Sequence, residues 1–209
     1  MYQPTDEQKQ KIKDIVTNEP EKLKRLMSYL EAEGSLFAVL RAQSSRSFGY
    51  RLTLSANITN MDRGTIEEFR DLVGCGTIRP QRRNSIIWYW EISSQEEIHN
   101  VFIPLMQQLP FKTQKLLHDF PLFVQCDKIL TSTGPKNIDV LLKVLSLRNR
   151  IISIRTRTVD DKASFEKILT ILEKQYKESD ETDSVLFENI AKLNEAIQIL
   201  NNNNSKLWL

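Results

Sequence analysis

The stretch Leu26-Met27-Ser28-Tyr29-Leu30-Glu31-Ala32-Glu33-Gly34 decides how the rest of the chain is organised, because a helix ends there in two carboxylates and a glycine. The carbonyl end of a helix carries partial negative charge, so a cation rather than an acid is the stabilising side chain there. Two interpretations of Glu31 and Glu33 stay open at this point. Either both are solvated on a frayed last turn, or they hold a divalent cation, which would reverse the electrostatic argument.

The residues upstream predict the helix that carries this stretch. Asn18 is the expected N-cap, Pro20 fits the first turn, and Glu21 completes a capping box. Residues 5–17 predict a short amphipathic helical arm before it. The apolar positions of the main helix recur at helical spacing and are Leu23, Leu26, Met27 and Leu30.

Downstream of Gly34 the hydrophobic period changes from that of a helix to that of a strand. Polar and apolar residues alternate without a break over residues 51–58, after a first run over residues 35–43. This alternation predicts two half-buried antiparallel strands with one polar face. The polar face is expected to carry Arg41, Gln43, Arg51, Thr53, Ser55 and Asn57, with Arg46 in the connecting loop.

The next segment predicts a helix and a second hairpin. Asp62 is the expected N-cap of a helix that stops at Gly74. Residues 77–81 and 85–92 then predict two strands joined by a turn. The second of these strands is apolar on both faces, so its period alone does not assign an inward face.

The remainder of the chain predicts only helices. Ser94 and Glu97 form a capping box that starts a helix, and another helix is expected over residues 112–130. Residues 131–135 are a linker, followed by helices expected over residues 137–151, 162–177 and 183–201.

Charge and cysteine content narrow the class of protein. The net charge of the 209 residues is only +2, but residues 35–60 and 76–90 contain arginines and no acid. Arginine suits contacts with phosphate and with guanine edges, which favours a nucleic-acid partner. Cys75 and Cys126 are too few and too far apart for a zinc site or a disulfide framework, so we expect a reducing compartment. No apolar run reaches the ~18 residues of a membrane span, so we expect a soluble, intracellular protein without a membrane partner.

Together, the nonapeptide, the αββαββα order and the Gly74-Cys75-Gly76 turn resemble the LAGLIDADG homing endonucleases. The family motif maps without gaps onto residues 26–34, although Met27 stands where alanine is usual and glutamates replace both aspartates. Residues 57–62 and 109–115 resemble further segments of that family. The resemblance implies an α+β fold with a saddle-shaped antiparallel sheet. It divides the chain into an N-terminal helical arm (1–22), an endonuclease core (23–130) and a helical C-terminal extension (131–209).

The resemblance also implies an activity. One motif is visible, which implies a homodimer that brings two Glu33 carboxylates together at the DNA backbone. Neighbouring carboxylates require cations between them, so Mg²⁺ or Mn²⁺ is the implied cofactor. The implied reaction is metal-dependent phosphodiester hydrolysis in both strands of a long pseudo-palindromic double-stranded DNA target. The motif helices are expected to pair through Leu26, Met27, Ser28 and Leu30.

The resemblance assigns roles to single residues by position. Glu33 is the expected catalytic metal ligand, Asn60 is expected to order water, and Lys112 is expected near the scissile phosphate. Glu31 is expected to support the helix end. Arginine reads guanine and asparagine or glutamine reads adenine, whereas arginines in a turn hold phosphate. The expected DNA-binding residues are Arg41, Gln43, Arg46, Arg51, Thr53, Ser55, Asn57, Arg79, Gln81, Arg82 and Arg83.

A second function on the same fold stays open. A non-cleaving DNA- or RNA-binding protein, either an intron maturase with intron RNA as partner or a transcriptional regulator, is favoured by bulky Met27 and by the long helical tail. Glu33 together with Lys112 favours the endonuclease. The implied location is an organelle (chloroplast or mitochondrion) or the bacterial cytoplasm. The extension holds four arginines that either touch DNA phosphates or lie on a solvated face, namely Arg148, Arg150, Arg155 and Arg157.

Overall fold

A computed structural model describes residues 5–43, 50–83, 85–132, 138–153, 161–179 and 183–202. Two helices open the chain and four strands follow with one helix among them. The elements up to the end of the sheet are α1 (Asp6–Asn18), α2 (Pro20–Glu33), β1 (Ser35–Ala42), β2 (Tyr50–Asn60), α3 (Arg63–Val73), β3 (Thr77–Pro80) and β4 (Trp88–Ile92). The later elements are α4 (Gln95–Glu97), a π-helical turn (Ile98–Phe102), α5 (Ile103–Met106), α6 (Gln114–Thr131), α7 (Ile138–Ser153), α8 (Asp161–Glu178) and α9 (Ser184–Asn202).

The predicted fold class is confirmed. The strands form one four-stranded sheet in the order β1-β2-β4-β3, and helices precede, divide and follow them as expected. Strand β4 pairs antiparallel with both β2 and β3. Residues 43–49 are too few for a parallel crossover, so β1 and β2 are antiparallel neighbours.

The predicted N-terminus of α2 is wrong by one residue. Asn18 is the last residue of α1, and Glu19 occupies the N-cap position without a side-chain cap bond. The backbone N–H of Glu19 still bonds to the carbonyl of Ile15 at 3.1 Å, so α1 runs directly into α2. Pro20 at the first position of α2 lacks an N–H that would have no helical partner there.

The predicted boundaries of α3 are confirmed. The Asp62 carboxylate accepts hydrogen bonds from the backbone N–H groups of Gly64 (3.1 Å) and Thr65 (3.2 Å). The Thr65 hydroxyl and these two amides lower the pKa of Asp62. Gly74 ends the helix at φ 75°, in the left-handed region that favours glycine.

The inward face of β4, which the sequence left unassigned, is the face of Trp90 and Ile92. Both side chains are buried, and Trp90 Nε1 donates a hydrogen bond to the Cys75 carbonyl at 2.9 Å. The Trp90 ring also meets the Phe69 ring edge-on at a centroid distance of 4.7 Å. Gly76 lies against this indole at φ +85°, where a Cβ would come 2.4 Å from Trp90 Nε1. A glycine is therefore required where the turn passes over the core.

The residues form two compact units whose boundaries differ from the predicted domains. The first unit comprises Met1–Ala38 and Leu54–Thr133, and the second comprises Val39–Thr53 and Gly134–Leu209. Residues 39–53, which were predicted to belong to the core of residues 23–130, therefore group with the C-terminal helices. Within the described residues, no helix combines the length and the apolar character needed to cross a bilayer.

The core of the second unit explains this grouping. Tyr50 and Leu52 of β2 pack against a hydrophobic cluster built from α7, α8 and α9. The apolar side chains of one strand segment and three helices are thus removed from water together. The buried members of the cluster are Ile138, Leu141, Leu145, Phe165, Ile168, Leu172, Leu193, Ala196 and Ile197.

Candidate active site and nucleic-acid interface

Glu31 is bound by the start of another helix. Its carboxylate accepts hydrogen bonds from the backbone N–H groups of Lys112 (2.5 Å) and Thr113 (3.0 Å). Thr113 is the N-cap residue of α6, which is 18 residues long. The start of a helix carries partial positive charge and unpaired N–H groups, so it stabilises a carboxylate. The acid that is unfavourable at the end of α2 is therefore favourable at the start of α6.

Lys115 supplies the cation that the end of α2 requires. Its Nζ donates a hydrogen bond to the Gly34 carbonyl at 2.8 Å, and the side chain is half-buried. A cation bonded to a carbonyl at this end offsets the partial negative charge of the helix. The sequence analysis missed this role because Lys115 is 81 residues away from Gly34. The only signals in the sequence were its place near the start of a predicted helix and its place in residues 109–115, which resemble a segment of the family.

Gly34 is required by close packing rather than by an unusual backbone. Its φ of −70° and ψ of 147° are those of an extended residue. A Cβ at this position would lie 2.4 Å from the Leu30 carbonyl oxygen. The chain therefore leaves α2 for β1 directly over its own last turn, with Gly34 buried.

Glu33 differs from Glu31 in its exposure and in its contacts. Its side chain is exposed, and within the described part of the chain it has neither a hydrogen bond nor an ion pair. An exposed carboxylate oxygen is a hard donor of the type that Mg²⁺ and Mn²⁺ bind. Among the residues that the structure describes, no three His, Cys, Asp or Glu side chains form a group able to hold a metal ion. The exposed Glu33 carboxylate has the donor chemistry of a metal ligand, and its role as one remains a prediction.

The structure places the other two predicted catalytic residues as follows. Asn60 ends β2, and its Oδ1 accepts a hydrogen bond from the Asp62 N–H at 2.8 Å, so the amide shapes the turn into α3. Lys112 is exposed, and its backbone rather than its side chain is tied to Glu31. Their roles toward water and phosphate remain predictions.

Three of the four residues expected to pair two motif helices lie in the core of their own unit. Leu26, Met27 and Leu30 are 0%, 7% and 1% exposed, whereas Ser28 is exposed. The same apolar stripe on an amphipathic helix predicts a core face or an interface, and burial decides that it is core. The exposed stripe of α2 consists instead of Glu21, Arg25, Ser28 and Ala32.

The predicted open polar face of β2 is wrong over its C-terminal half. Ser55 and Asn57 are 0% and 9% exposed. Ser55 Oγ lies 3.0 Å from Glu91 Oε1 and 3.0 Å from the Ile92 carbonyl oxygen, and Asn57 Nδ2 donates to the Tyr89 hydroxyl at 2.6 Å. Because β2 is an inner strand, the longer side chains of β4 extend over its short polar ones.

Arg79 of β3 is the exposed member of the same set. Its side chain is 52% exposed, and Nη2 lies 3.1 Å from Glu91 Oε2. Its guanidinium stands over the Tyr89 ring, 4.6 Å from the centroid. Tyr89 and Glu91 were not predicted as site residues, because residues 86–90 are large and mostly apolar and show no polar–apolar alternation. We call Ser55, Asn57, Arg79, Tyr89 and Glu91 the cross-strand polar network.

The remaining predicted DNA-binding residues divide by unit. In the first unit, Gln81, Arg82 and Arg83 are exposed. In the second unit, Arg41 and Arg51 are exposed, Gln43 is half-buried, and Thr53 is buried.

Only one arginine of the C-terminal extension is exposed among those described. Arg148 is 8% exposed and Arg150 is exposed. Arg46, Arg155 and Arg157 lie outside the described residues. Burial of Arg148 excludes the predicted solvated face at that position.

Comparison with known proteins agrees with this architecture. Residues 26–126 match the sequence profile of the LAGLIDADG endonuclease family. Among curated protein sequences, none is significantly similar to the chain.

Three similar solved structures are homing endonucleases. An archaeal intron-encoded homing endonuclease, I-Vdi141I, complexed with DNA, is 19% identical with a TM-score of 0.64, over 73% of this chain and 98% of that one. I-SmaMI bound to cleaved DNA is 21% identical with a TM-score of 0.58, over 70% of this chain and 48% of that one. I-TnaI is 17% identical with a TM-score of 0.57, over 73% of this chain and 96% of that one.

Because the sequence identities are low, these structural likenesses establish the fold alone. The chain spans about half the length of I-SmaMI and nearly all of the other two. The profile match covers the second half of α2 with the motif, the whole sheet and most of α6. Residues 26–126 of this protein therefore match the LAGLIDADG endonuclease family, and the fold is that of solved homing endonucleases.

Proposed function

We propose that this protein is a homodimeric, sequence-specific DNA endonuclease that uses Mg²⁺ or Mn²⁺ to hydrolyse both strands of a long pseudo-palindromic target. The observation that carries the proposal is the contrast between the two glutamates of the motif. Glu31 is bound to the start of α6, whereas Glu33 is exposed and has no partner among the described residues. The family match and the likeness to DNA-bound homing endonucleases support DNA as the substrate.

The exposed stripe of α2 supports the homodimer. Ser28 and Ala32 lie one turn apart on that stripe, and small side chains let two helices approach closely. A two-fold axis through this face makes the same surface meet itself and brings one Glu33 from each copy to the axis. The two-fold symmetry in turn requires a target with matching half-sites.

The groups around Glu33 prepare the site for a cation. Two carboxylates at close range repel each other, and this repulsion is relieved when a divalent cation binds between them. When bound, the cation supplies Lewis-acid stabilisation of the charge that develops on the phosphodiester. The Glu31 bonds to Lys112 and Thr113 hold the start of α6 against α2, and Lys115 fixes the backbone at Gly34, next to Glu33. These contacts fix the backbone that carries Glu33 before substrate arrives.

The position of Met27 in the structure does not favour a non-cleaving protein. Met27 suggested a bulky side chain where two motif helices meet. Its side chain is only 7% exposed, so it packs inside its own unit and is not part of the exposed stripe of α2. We therefore assign cleavage rather than binding alone.

The test is cleavage of a plasmid library of candidate sites in the presence of Mg²⁺. The wild-type protein is expected to give linear product, and Glu33→Gln is expected to bind the same target without cutting it. Glu96→Gln, which changes an exposed acid on α4, serves as the matched control and should cut like the wild type. Cleavage by Glu33→Gln would refute the assignment of Glu33. A wild type that binds its target but never cuts would support the non-cleaving alternative.

A further inference from the structure

The cross-strand polar network places an acid in the middle of a face that is otherwise suited to DNA. In the strand register, Asn57 lies opposite Glu91 and Arg79 lies opposite Tyr89, so all four side chains and that of Ser55 share one face. A lone carboxylate on a DNA-binding surface repels phosphate. Glu91 is not alone, however, because its two oxygens meet Ser55 Oγ at 3.0 Å and Arg79 Nη2 at 3.1 Å.

This arrangement holds the Arg79 guanidinium from two sides. Glu91 accepts a hydrogen bond from one edge of the guanidinium, and the Tyr89 ring lies beneath it, with its centroid 4.6 Å from Arg79 Cζ. An exposed arginine otherwise loses rotamer freedom when it binds, so fixing it in advance improves both affinity and selectivity. Arginine has five N–H donors, so the bond to Glu91 leaves enough for the two that guanine O6 and N7 accept.

The members beneath Arg79 hold its two supports in place. Ser55 is fully buried against Glu91, whose side chain is only 16% exposed. Asn57 donates to the Tyr89 hydroxyl at 2.6 Å. The order of exposure therefore runs from buried Ser55 and Asn57, through half-buried Tyr89 and Glu91, to exposed Arg79.

We propose that Glu91 is a specificity-determining residue, which positions Arg79 so that this face selects a guanine in the major groove of the target. Ser55 and Asn57 are positioning residues for Glu91 and Tyr89, and they do not contact bases. The inference rests on the proposed DNA-binding function. It identifies one guanine per half-site as the base that this network selects.

The test is selection of bound sites from a randomised duplex library, followed by affinity measurements on single-base variants of the selected site. Arg79→Ala identifies the position that Arg79 reads, as the position at which guanine preference disappears. Glu91→Gln keeps the size of the side chain and removes its charge. It is expected to reduce the preference for guanine at that same position by about tenfold, with other positions unchanged. Binding to unrelated DNA should become tighter, because one negative charge leaves the face.

A merely structural role for Glu91 predicts a different result. Affinity would then fall equally for all sequences, and no single position would change its preference. That result, or a shift at a position other than the one lost in Arg79→Ala, would overturn the inference. Glu96→Gln removes one exposed acid elsewhere and should leave both the preference and the affinity unchanged.

Two further outcomes separate this inference from the proposed function. Arg79→Lys keeps the positive charge beside Glu91 but loses the planar fork, and it is expected to bind with lost guanine preference even where Glu91→Gln fails to fold. Retained guanine preference in Arg79→Lys would count against the inference. A wild type that selects no sequence at all would instead refute DNA recognition itself.

Discussion

Replacing each glutamate of the motif by alanine is expected to separate folding stability from DNA cleavage. Glu31→Ala removes a carboxylate that accepts two backbone hydrogen bonds, whereas Glu33→Ala removes an exposed carboxylate with no partner among the described residues. Glu31→Ala should therefore lower the free energy of unfolding, and Glu33→Ala should leave it unchanged. Glu33→Ala is expected to abolish cleavage in a protein of wild-type stability, whereas the expected effect of Glu31→Ala is a loss of stability.

The magnitude for Glu31→Ala follows from its contacts. A hydrogen bond to a charged group contributes about 1.5–3 kcal/mol, and an acid at a helix start adds about 0.3–1 kcal/mol. Glu31 is half-buried, so water replaces part of what is lost. We expect a net loss of about 2 kcal/mol, comparable to the upper range for removal of an N-cap side chain. In a protein of this size this loss corresponds to a fall in melting temperature of about 4–8 °C.

Urea unfolding followed by circular dichroism measures this difference. If the two units unfold in separate steps, the effect belongs to the step of the first unit, which contains Glu31 and Thr113. A loss below about 0.5 kcal/mol for Glu31→Ala would show that the contacts to α6 do not stabilise the fold. Equal destabilisation by Glu33→Ala would refute the distinction between the two acids.

Three further predictions concern packing, ionisation and assembly. Gly34→Ala should destabilise the protein by about 1–3 kcal/mol in thermal unfolding, because the added Cβ would lie 2.4 Å from the Leu30 carbonyl oxygen. Gly64→Ala is the control and should not destabilise the protein, because its Cβ would lie 3.4 Å from the nearest atom. Burial, with a smaller contribution from the nearby Asp127 charge, raises the pKa of Cys126 from 9.0 to about 12, so Ellman's reagent at pH 8 should modify it only after unfolding. Since the folded pKa is the higher one, the associated stability is present below pH 9 and is lost as the pH rises toward 12. Ser28→Trp should convert a dimer to a monomer in size-exclusion chromatography without lowering the melting temperature; a dimer that survives would move the interface away from α2.

Sequence reasoning was most accurate where the deciding interactions are local. Asp62 and Gly74 bound α3 as predicted, because a cap bond and a positive φ involve residues within one turn. The helices of the extension also lie within two residues of their predicted bounds, since each has a helical apolar period.

Sequence reasoning failed where one pattern permits two environments. The apolar stripe of α2 fits a dimer interface as well as it fits a core, and only packing shows that Leu26 and Leu30 are core. The polar alternation of β2 fits an open face, but β2 is an inner strand and Tyr89 and Glu91 of β4 cover it. Neither outcome depends on the residues next in sequence.

The sequence by itself determined the order of elements, the family and the importance of residues 26–34, because periodicity, caps and the motif are written in neighbouring residues. The family resemblance already assigned metal binding to Glu33 and support of the helix end to Glu31, but only the tertiary structure showed what each carboxylate contacts. Glu31 and Glu33 lie on the same last turn of α2, yet the start of α6 reaches Glu31 and not Glu33. The physical reason is that a carboxylate is stabilised by whatever N–H groups and cations lie beside it, and these come here from residues 112–115, about 80 residues further along the chain.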